Sequence, residues 1–384
     1  MTRQAKLDSS GFHHSTHKGQ ATPSSAARPP AMTLSGPFLD RLVAPLVSDS
    51  RRAAMMCALI GAPLAYAVCE RFVTLGKGEL ALDLAALKIN AQIAAVEATA
   101  ARGRVLSFLD TLNSAGIECM VIKGLATAMV LYPHPALRLL PDVDILVRPP
   151  DLPRLVAHMR DAGFRTAHVP GAERKWGALT VSSFAPVTPP DGDFLIDVHQ
   201  AVDDPPASNG VPADEIFAGS RLVDVDGVGL RVPGVDHMFA LLVLNAFRDL
   251  YEPRGLKSLF DATLALANAP PDMAVLGDMA RRGAFVRRAA FYRELCLELG
   301  VGDVSALVPD CRLGPLGRQL LRRTVDNMKS FTLMRFPDTL KLAFEMALYD
   351  SPTTMARRNA GRLMGLVRPH SHALAGLPVE APDP

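Results

Sequence analysis

The 384-residue sequence predicts an α/β (α+β) fold, a small mixed sheet carrying acidic residues and clasped by helical segments on either side. Two observations predict it. Between Arg104 and His199 the apolar period switches repeatedly, in the order helix, strand, helix, strand, helix, strand. On both sides of that stretch apolar residues recur at helical spacings of three and four.

Residues 1–35 are rich in Ser, Thr, Pro, Gly and His and hold too little apolar surface to offset the entropy of ordering, so they are expected to be a disordered tail. His13, His14 and His17 belong to that solvated tail. Residues 36–100 read as a helical segment, with Leu80, Leu84 and Leu87 on one face, then Ile89, Ile93 and Val96. Within it, Ala53 to Cys69 carries no charge. The run is short for a membrane span, which needs about 20 apolar residues. Gly61 and Pro63 interrupt it, so it reads as buried helices.

The core is expected over 101–232. Val105, Phe108, Leu109 and Leu112 make a helix face that stops near Gly116. Ile117 to Ile122 is a short apolar strand, Lys123-Gly124 a turn, and Leu125 to Tyr132 a short helix that Pro133-His134-Pro135 breaks. Val143 to Val147 is a second strand. Asp151 caps a helix from Leu152 to Asp161, stopped by Gly163. Leu179 to Phe184 and Phe194 to Val198 are two more strands. After Gly210 the pattern turns helical again, over Val235 to Leu250, Leu256 to Ala267 and Ala284 to Leu299. A helical C-terminal domain is expected over 233–370 and a flexible tail over 371–384.

A net charge of +2, with 49% hydrophobic and 21% charged residues, is ordinary globular composition and makes nucleic acid an unexpected partner. Five widely spaced cysteines without a CxxC suggest neither a disulfide framework nor a zinc site. With no apolar leader in the first 35 residues, a cytoplasmic location is expected.

The chemistry centres on Pro141-Asp142-Val143-Asp144-Ile145-Leu146-Val147. Aspartates two apart on a strand share a face, and Val143, Ile145 and Val147 share the other. Two carboxylates held side by side repel, and a divalent cation relieves that; carboxylate oxygens suit magnesium. Asp197, in the apolar strand Leu195-Ile196-Asp197-Val198-His199, completes a three-carboxylate site if the two strands are neighbours. Two metals about 4 Å apart would then polarise the attacking and leaving oxygens of an in-line displacement. Upstream, Lys123-Gly124 opens a helix: free backbone N–H groups, a glycine that permits close approach and a point charge together make an anion site. Arg138 is a second phosphate ligand by its position before Asp142.

The ordered set Lys123-Gly124, Leu131-Tyr132-Pro133, Arg138, Asp142-Val143-Asp144-Ile145-Leu146-Val147 and Asp197-Val198-His199 closely resembles a bacterial family of uncharacterised nucleotidyltransferases in the polymerase-β-like superfamily. The likeness extends through Val235-Asp236-His237 and the Leu256 to Leu266 segment containing Asp261, covering about Leu80 to Leu299. The resemblance implies a polymerase-β-like core, magnesium, a triphosphate donor such as ATP, and Asp142, Asp144 and Asp197 as metal-binding and catalytic residues. Lys123, Gly124, Arg138 and His199 would hold the nucleotide. Better-studied superfamily members have Gly-Ser where this chain has Lys123-Gly124, so a phosphate-touching hydroxyl is missing. The expected reaction moves a nucleoside monophosphate to a hydroxyl or phosphate acceptor, a small molecule or peptide. A catalytically inactive nucleotide-binding protein and a phosphotransferase using the same acids are the alternatives.

Asn245, Arg248 and Asp249 either line the cleft from the helical half or, the favoured reading, form an ordinary polar helix face, and Lys257 and Asp261 read as a surface pair four residues apart. Trp176, the sole tryptophan, reads as a rim aromatic. From Arg312 to Arg368 eleven Lys or Arg stand against four acids, read as a solvated helical face.

Overall fold

The computed structural model describes residues 32–140, 142–167, 182–192, 194–249, 251–356, 359–360 and 376–378. The expected tails lie almost wholly outside the described residues, as do Trp176 and the first half of the Leu179 to Phe184 strand. Two exceptions correct the tail boundaries. Leu34 is buried, and Ser35 donates to the Gly300 carbonyl at 2.6 Å. At the other end, Pro378 accepts a backbone hydrogen bond from Thr166.

Short helical turns over residues 36–47 lead into α1 (Ser50–Ile60) and α2 (Ala62–Thr74). Gly61 between them has φ +88°, a conformation L side chains rarely adopt, and Pro63 sits in the first turn of α2. The uncharged stretch is therefore two helices. Among the described residues, no helix is long and apolar enough to cross a membrane. α3 (Leu84–Ser114) follows, with the Asp83 carboxylate accepting from the amides of Ala85 and Ala86. Its second apolar triplet, Ile89, Ile93 and Val96, lies on the helix as the spacing predicts but faces solvent, at 59%, 55% and 71% exposure.

The core then alternates: β1 (Cys119–Val121), α4 (Lys123–Leu131), β2 (Val143–Val147), α5 (Leu152–Asp161), β3 (Arg165–Thr166), β4 (Val187–Thr188) and β5 (Ile196–His199). These strands form one five-stranded sheet in the order β1-β2-β5-β4-β3. β2 and β5 pair in parallel; the other pairs are antiparallel. Every residue of β2 is buried, as befits a central strand covered on both sides. Asp151 precedes α5 without a side-chain capping bond. In the Leu179 to Phe184 segment the described residues contribute an isolated bridge, Ser183 to His199.

The helical reading after Gly210 is corrected at one place: β6 (Arg221–Val225) and β7 (Val228–Val232) form a hairpin. Its turn is Asp226-Gly227, with φ of +53° and +85°, the two positive values a type I′ turn requires. The hairpin is tied to the sheet through Glu118, which pairs with Arg231 at 3.1 Å and with Arg148.

Helices α6 (Val235–Arg248), α7 (Leu256–Asn268), α8 (Met273–Arg282) and α9 (Val286–Leu299) follow, then α10 (Pro315–Ser330) and α11 (Asp338–Leu348). α4 packs between β2 on one side and α6 and α7 on the other. The sheet and the C-terminal helices thus share one short helix, whose N-terminus opens at the acids.

Gly227→Ala tests the hairpin. A Cβ there meets nothing within 4 Å, so the cost is backbone strain alone, about 1–2 kcal/mol in urea unfolding. An unchanged midpoint would exclude the type I′ turn.

Candidate active site

The parallel register sets Asp144 directly opposite Asp197 and Leu146 opposite His199. Opposite residues on neighbouring strands share a face, so Asp144, Asp197 and His199 converge. One ligand atom from each lies within 4.8 Å of the others. Asp144 and His199 are buried, and Asp197 is partly so.

β1 delivers a fourth group. The Ile122 amide bonds to the Asp144 carbonyl at 3.0 Å, which carries the strand pairing up to the turn. The next residue, Lys123, opens α4 with φ +52°. For a non-glycine residue that conformation costs about 1 kcal/mol or more and marks a site where surroundings dictate the backbone. The result is a lysine turned back on the sheet. Its Nζ lies 2.5 Å from Asp144 Oδ1 and 3.1 Å from His199 Nε2. His199 Nε2 is also 2.8 Å from that same Oδ1.

These three contacts do not satisfy one another. Nε2 either carries a proton and donates to Asp144, or accepts from Lys123; one ring nitrogen does not do both. Nδ1 is buried with no hydrogen-bond partner among the described residues. A neutral imidazole and two carboxylates are also a chemically sound donor set for a divalent cation, with the oxygens favouring magnesium or manganese. The residues present fit such an ion, although Lys123 now holds the cationic place beside Asp144.

The electrostatics split the acids. Burial alone would raise Asp144, but the Lys123 charge and the His199 hydrogen bond override it and hold this carboxyl well below its usual range. Burial pushes Asp197 up to about 7, helped by the negative charges of Asp144 and Asp142. Burial and the Lys123 charge push His199 down to about 4, so it is neutral at physiological pH.

Asp142 is not among the groups whose ligand atoms lie within 4.8 Å of one another, but its charge acts on Asp197. It lines a pocket with Arg138, and burial with the Asp144 charge raises its pKa. The expected ligand set is Asp142, Asp144 and Asp197; the geometry joins His199 to the latter two. Arg138, expected to hold phosphate, is engaged elsewhere. Its Nε and Nη2 grip both oxygens of Asp261 at 2.9–3.2 Å, and its Nη1 donates to the Leu139 carbonyl at 2.8 Å. Tyr132 Oη donates to Asp261 at 2.7 Å. Asp261 is 1% exposed, so it is no surface partner of Lys257. Gly124 fits tightly: a Cβ there would lie 3.2 Å from Leu140.

Two cations from the C-terminal helices complete the surroundings. The Arg248 charge acts on Asp197 and His199, and the Lys257 charge acts on Asp142. Burial, with the Arg138 charge, lowers the Lys257 pKa. The sequence places both residues on helices; cleft lining is the less favoured reading of Arg248 there, and no spacing rule brings Lys257, 60 residues from Asp197, to the acids.

Asp261 carries a test. Asp261→Ala leaves the Arg138 guanidinium buried and uncompensated, and the expected loss is about 3–5 kcal/mol in denaturant unfolding. A loss under about 1 kcal/mol, the surface-pair value, would show that the pair is solvated.

A family model described as an uncharacterised nucleotidyltransferase matches residues 62–299, which include every residue of this site. No curated protein and no solved structure matches the chain.

Proposed function

The chain belongs to the uncharacterised nucleotidyltransferase family, and on that basis we propose that it moves a nucleoside monophosphate from a nucleoside triphosphate to a hydroxyl or phosphate acceptor. The observation that carries this reading is the pairing of Asp144 with Asp197 on parallel strands, joined by His199 and faced by Lys123. Asp144, Asp197 and His199, with Asp142 at the margin, would hold magnesium. When bound, the ion would neutralise triphosphate charge and make the acceptor hydroxyl more acidic.

The chain's own groups supply the rest. The first-turn amides of α4 and the Lys123 ammonium bind phosphate oxygens, and Gly124 lets the backbone come close. Arg248 and Lys257, whose charges act on the acids from the C-terminal helices, offset charge on the leaving group. Arg138 positions rather than binds: held by Asp261, it fixes the loop leading to Asp142. In the reaction the acceptor oxygen bonds to the α-phosphorus, the bond from that phosphorus to the bridging oxygen breaks, and pyrophosphate leaves. Asp197 takes the acceptor's proton, a task suited to a carboxyl near neutrality. Positioning and electrostatics account for most of the rate in such transfers.

A second reading, nucleotide binding without turnover, draws on the contact of Lys123 with Asp144 and His199, which takes the place of a cation. Product analysis separates the readings: pyrophosphate marks nucleotidyl transfer, a nucleoside diphosphate marks phosphoryl transfer, and neither marks simple binding.

Calorimetry with each of the four ribonucleoside triphosphates, with and without magnesium, tests the site. Metal-dependent binding is expected for wild type and lost in the Asp142→Asn, Asp144→Asn double variant. Turnover in Asp144→Asn is expected to drop at least about 10²–10³-fold with the fold intact. Normal turnover in that variant would put the chemistry elsewhere.

Asp197 sets a pH dependence. Its folded pKa, about 7, lies above the ordinary 3.8, so the metal-free native state holds this proton more tightly than the unfolded chain. Its contribution to stability is present below about pH 4 and is lost as pH rises to about 7. His199 titrates oppositely over part of that range, so the comparison is with Asp197→Asn, which shares His199. Without metal, this variant should gain in melting temperature on wild type between about pH 4 and 7, with a constant gap above. A gap independent of pH would mean that Asp197 ionises as an ordinary carboxylate.

A further inference from the structure

A pocket of about 280 Å³ opens beside Asp142. One wall is α3, where Ala94, Ala98 and Ala101 recur at spacings of four and three and keep the helix face flat. Leu125, Leu140 and Phe194 supply apolar surface around it. Four charged residues also line it, Arg138 and Asp142 from the loop before β2, and Glu97 and Arg102 from α3.

We infer that this pocket receives the base of the donor nucleotide. The inference rests on the nucleotidyl-transfer reading above and adds where the nucleoside end goes.

Continuity supports it. Leu125 lies in the same first turn of α4 whose amides would hold phosphate, and Leu140 packs over Gly124 in that turn. The cavity and the proposed phosphate site thus share the first turn of α4. Its volume sits near the lower end for small-molecule sites, about 300 Å³, and so suits a nucleoside rather than an extended chain.

The lining matches a base in kind. A nucleobase has two apolar faces and a polar edge. The alanine face and the Leu140 and Phe194 side chains offer surfaces for the former, and Phe194 offers a ring for stacking. For the edge, Glu97 is an acceptor, exposed and without an ion pair among the described residues. Arg102 is a donor: it pairs with Asp226 through Nη2, while its Nε is buried with no hydrogen-bond partner among the described residues. A base edge presenting both donors and acceptors would use both.

The test compares two probes on the full chain, both with magnesium: the tightest-binding ribonucleoside triphosphate and inorganic tripolyphosphate, which has phosphates and no base. Ala98→Leu with Ala101→Leu fills the pocket and keeps good helix formers on α3. Phe194→Ala removes a wall instead. The nucleotide should bind wild type at least about tenfold tighter than tripolyphosphate, the increment that base stacking provides. In both variants nucleotide affinity should fall toward that of tripolyphosphate, which itself stays unchanged. Unaltered nucleotide affinity in both variants would overturn the proposal and leave the pocket to the acceptor. So would a parallel fall of both probes in both variants. Absence of tripolyphosphate and nucleotide binding by wild type would remove the nucleotide reading itself, and the pocket assignment with it.

Discussion

Two carboxylates set opposite each other on adjacent buried strands are the constraint around which this molecule is arranged. Parallel pairing of β2 with β5 places Asp144 beside Asp197, and groups gathered around them offset their repulsion. Lys123 enters from the end of β1 in a left-handed conformation, His199 from farther along β5, and Arg248 and Lys257 from the helices beyond. The two acids shift in opposite directions because the compensation is uneven: Lys123 and His199 make hydrogen bonds to Asp144, and none to Asp197 among the described residues. An environment that pushes neighbouring carboxyls apart in this way is characteristic of catalytic sites.

The central strands were legible because their signals are local. Val143 to Val147 and the helix over Leu152 to Asp161 appear with the bounds expected from apolar period and turn residues alone. The β6–β7 hairpin was also written locally, in Asp226-Gly227 between alternating apolar residues, and the helical reading of that stretch passed over it. What the sequence did not disclose are relations over long separations. Arg138 and Asp261 stand 123 residues apart, and no spacing rule distinguishes an arginine that binds phosphate from one that grips a buried carboxylate. The spacing of Lys257 and Asp261 suited a surface pair because the depth of an α7 face depends on what packs over it. The exposure of Ile89, Ile93 and Val96 is the converse case: a helical apolar triplet whose period was clear and whose partner is absent among the described residues.

The Tyr132–Arg138–Asp261 cluster gives those motif residues a mechanical role. Tyr132 closes α4, Arg138 lies on the loop that leads into β2, and Asp261 is on α7. One buried carboxylate therefore pins α4, the approach to the acids and the C-terminal helices to a common point. Held in this way, Arg138 stands beside Asp142 and lines the same pocket.

On the nucleotidyl-transfer reading, the contact of Lys123 with Asp144 would act as a kind of coincidence requirement. An ammonium and a metal ion would compete for the same carboxylate, so an ion arriving alone would have to dislodge a neutralising charge. An ion arriving chelated by a triphosphate would bring the displaced lysine a new anion. The lysine would thereby reserve the acids for a cation that comes with its cargo.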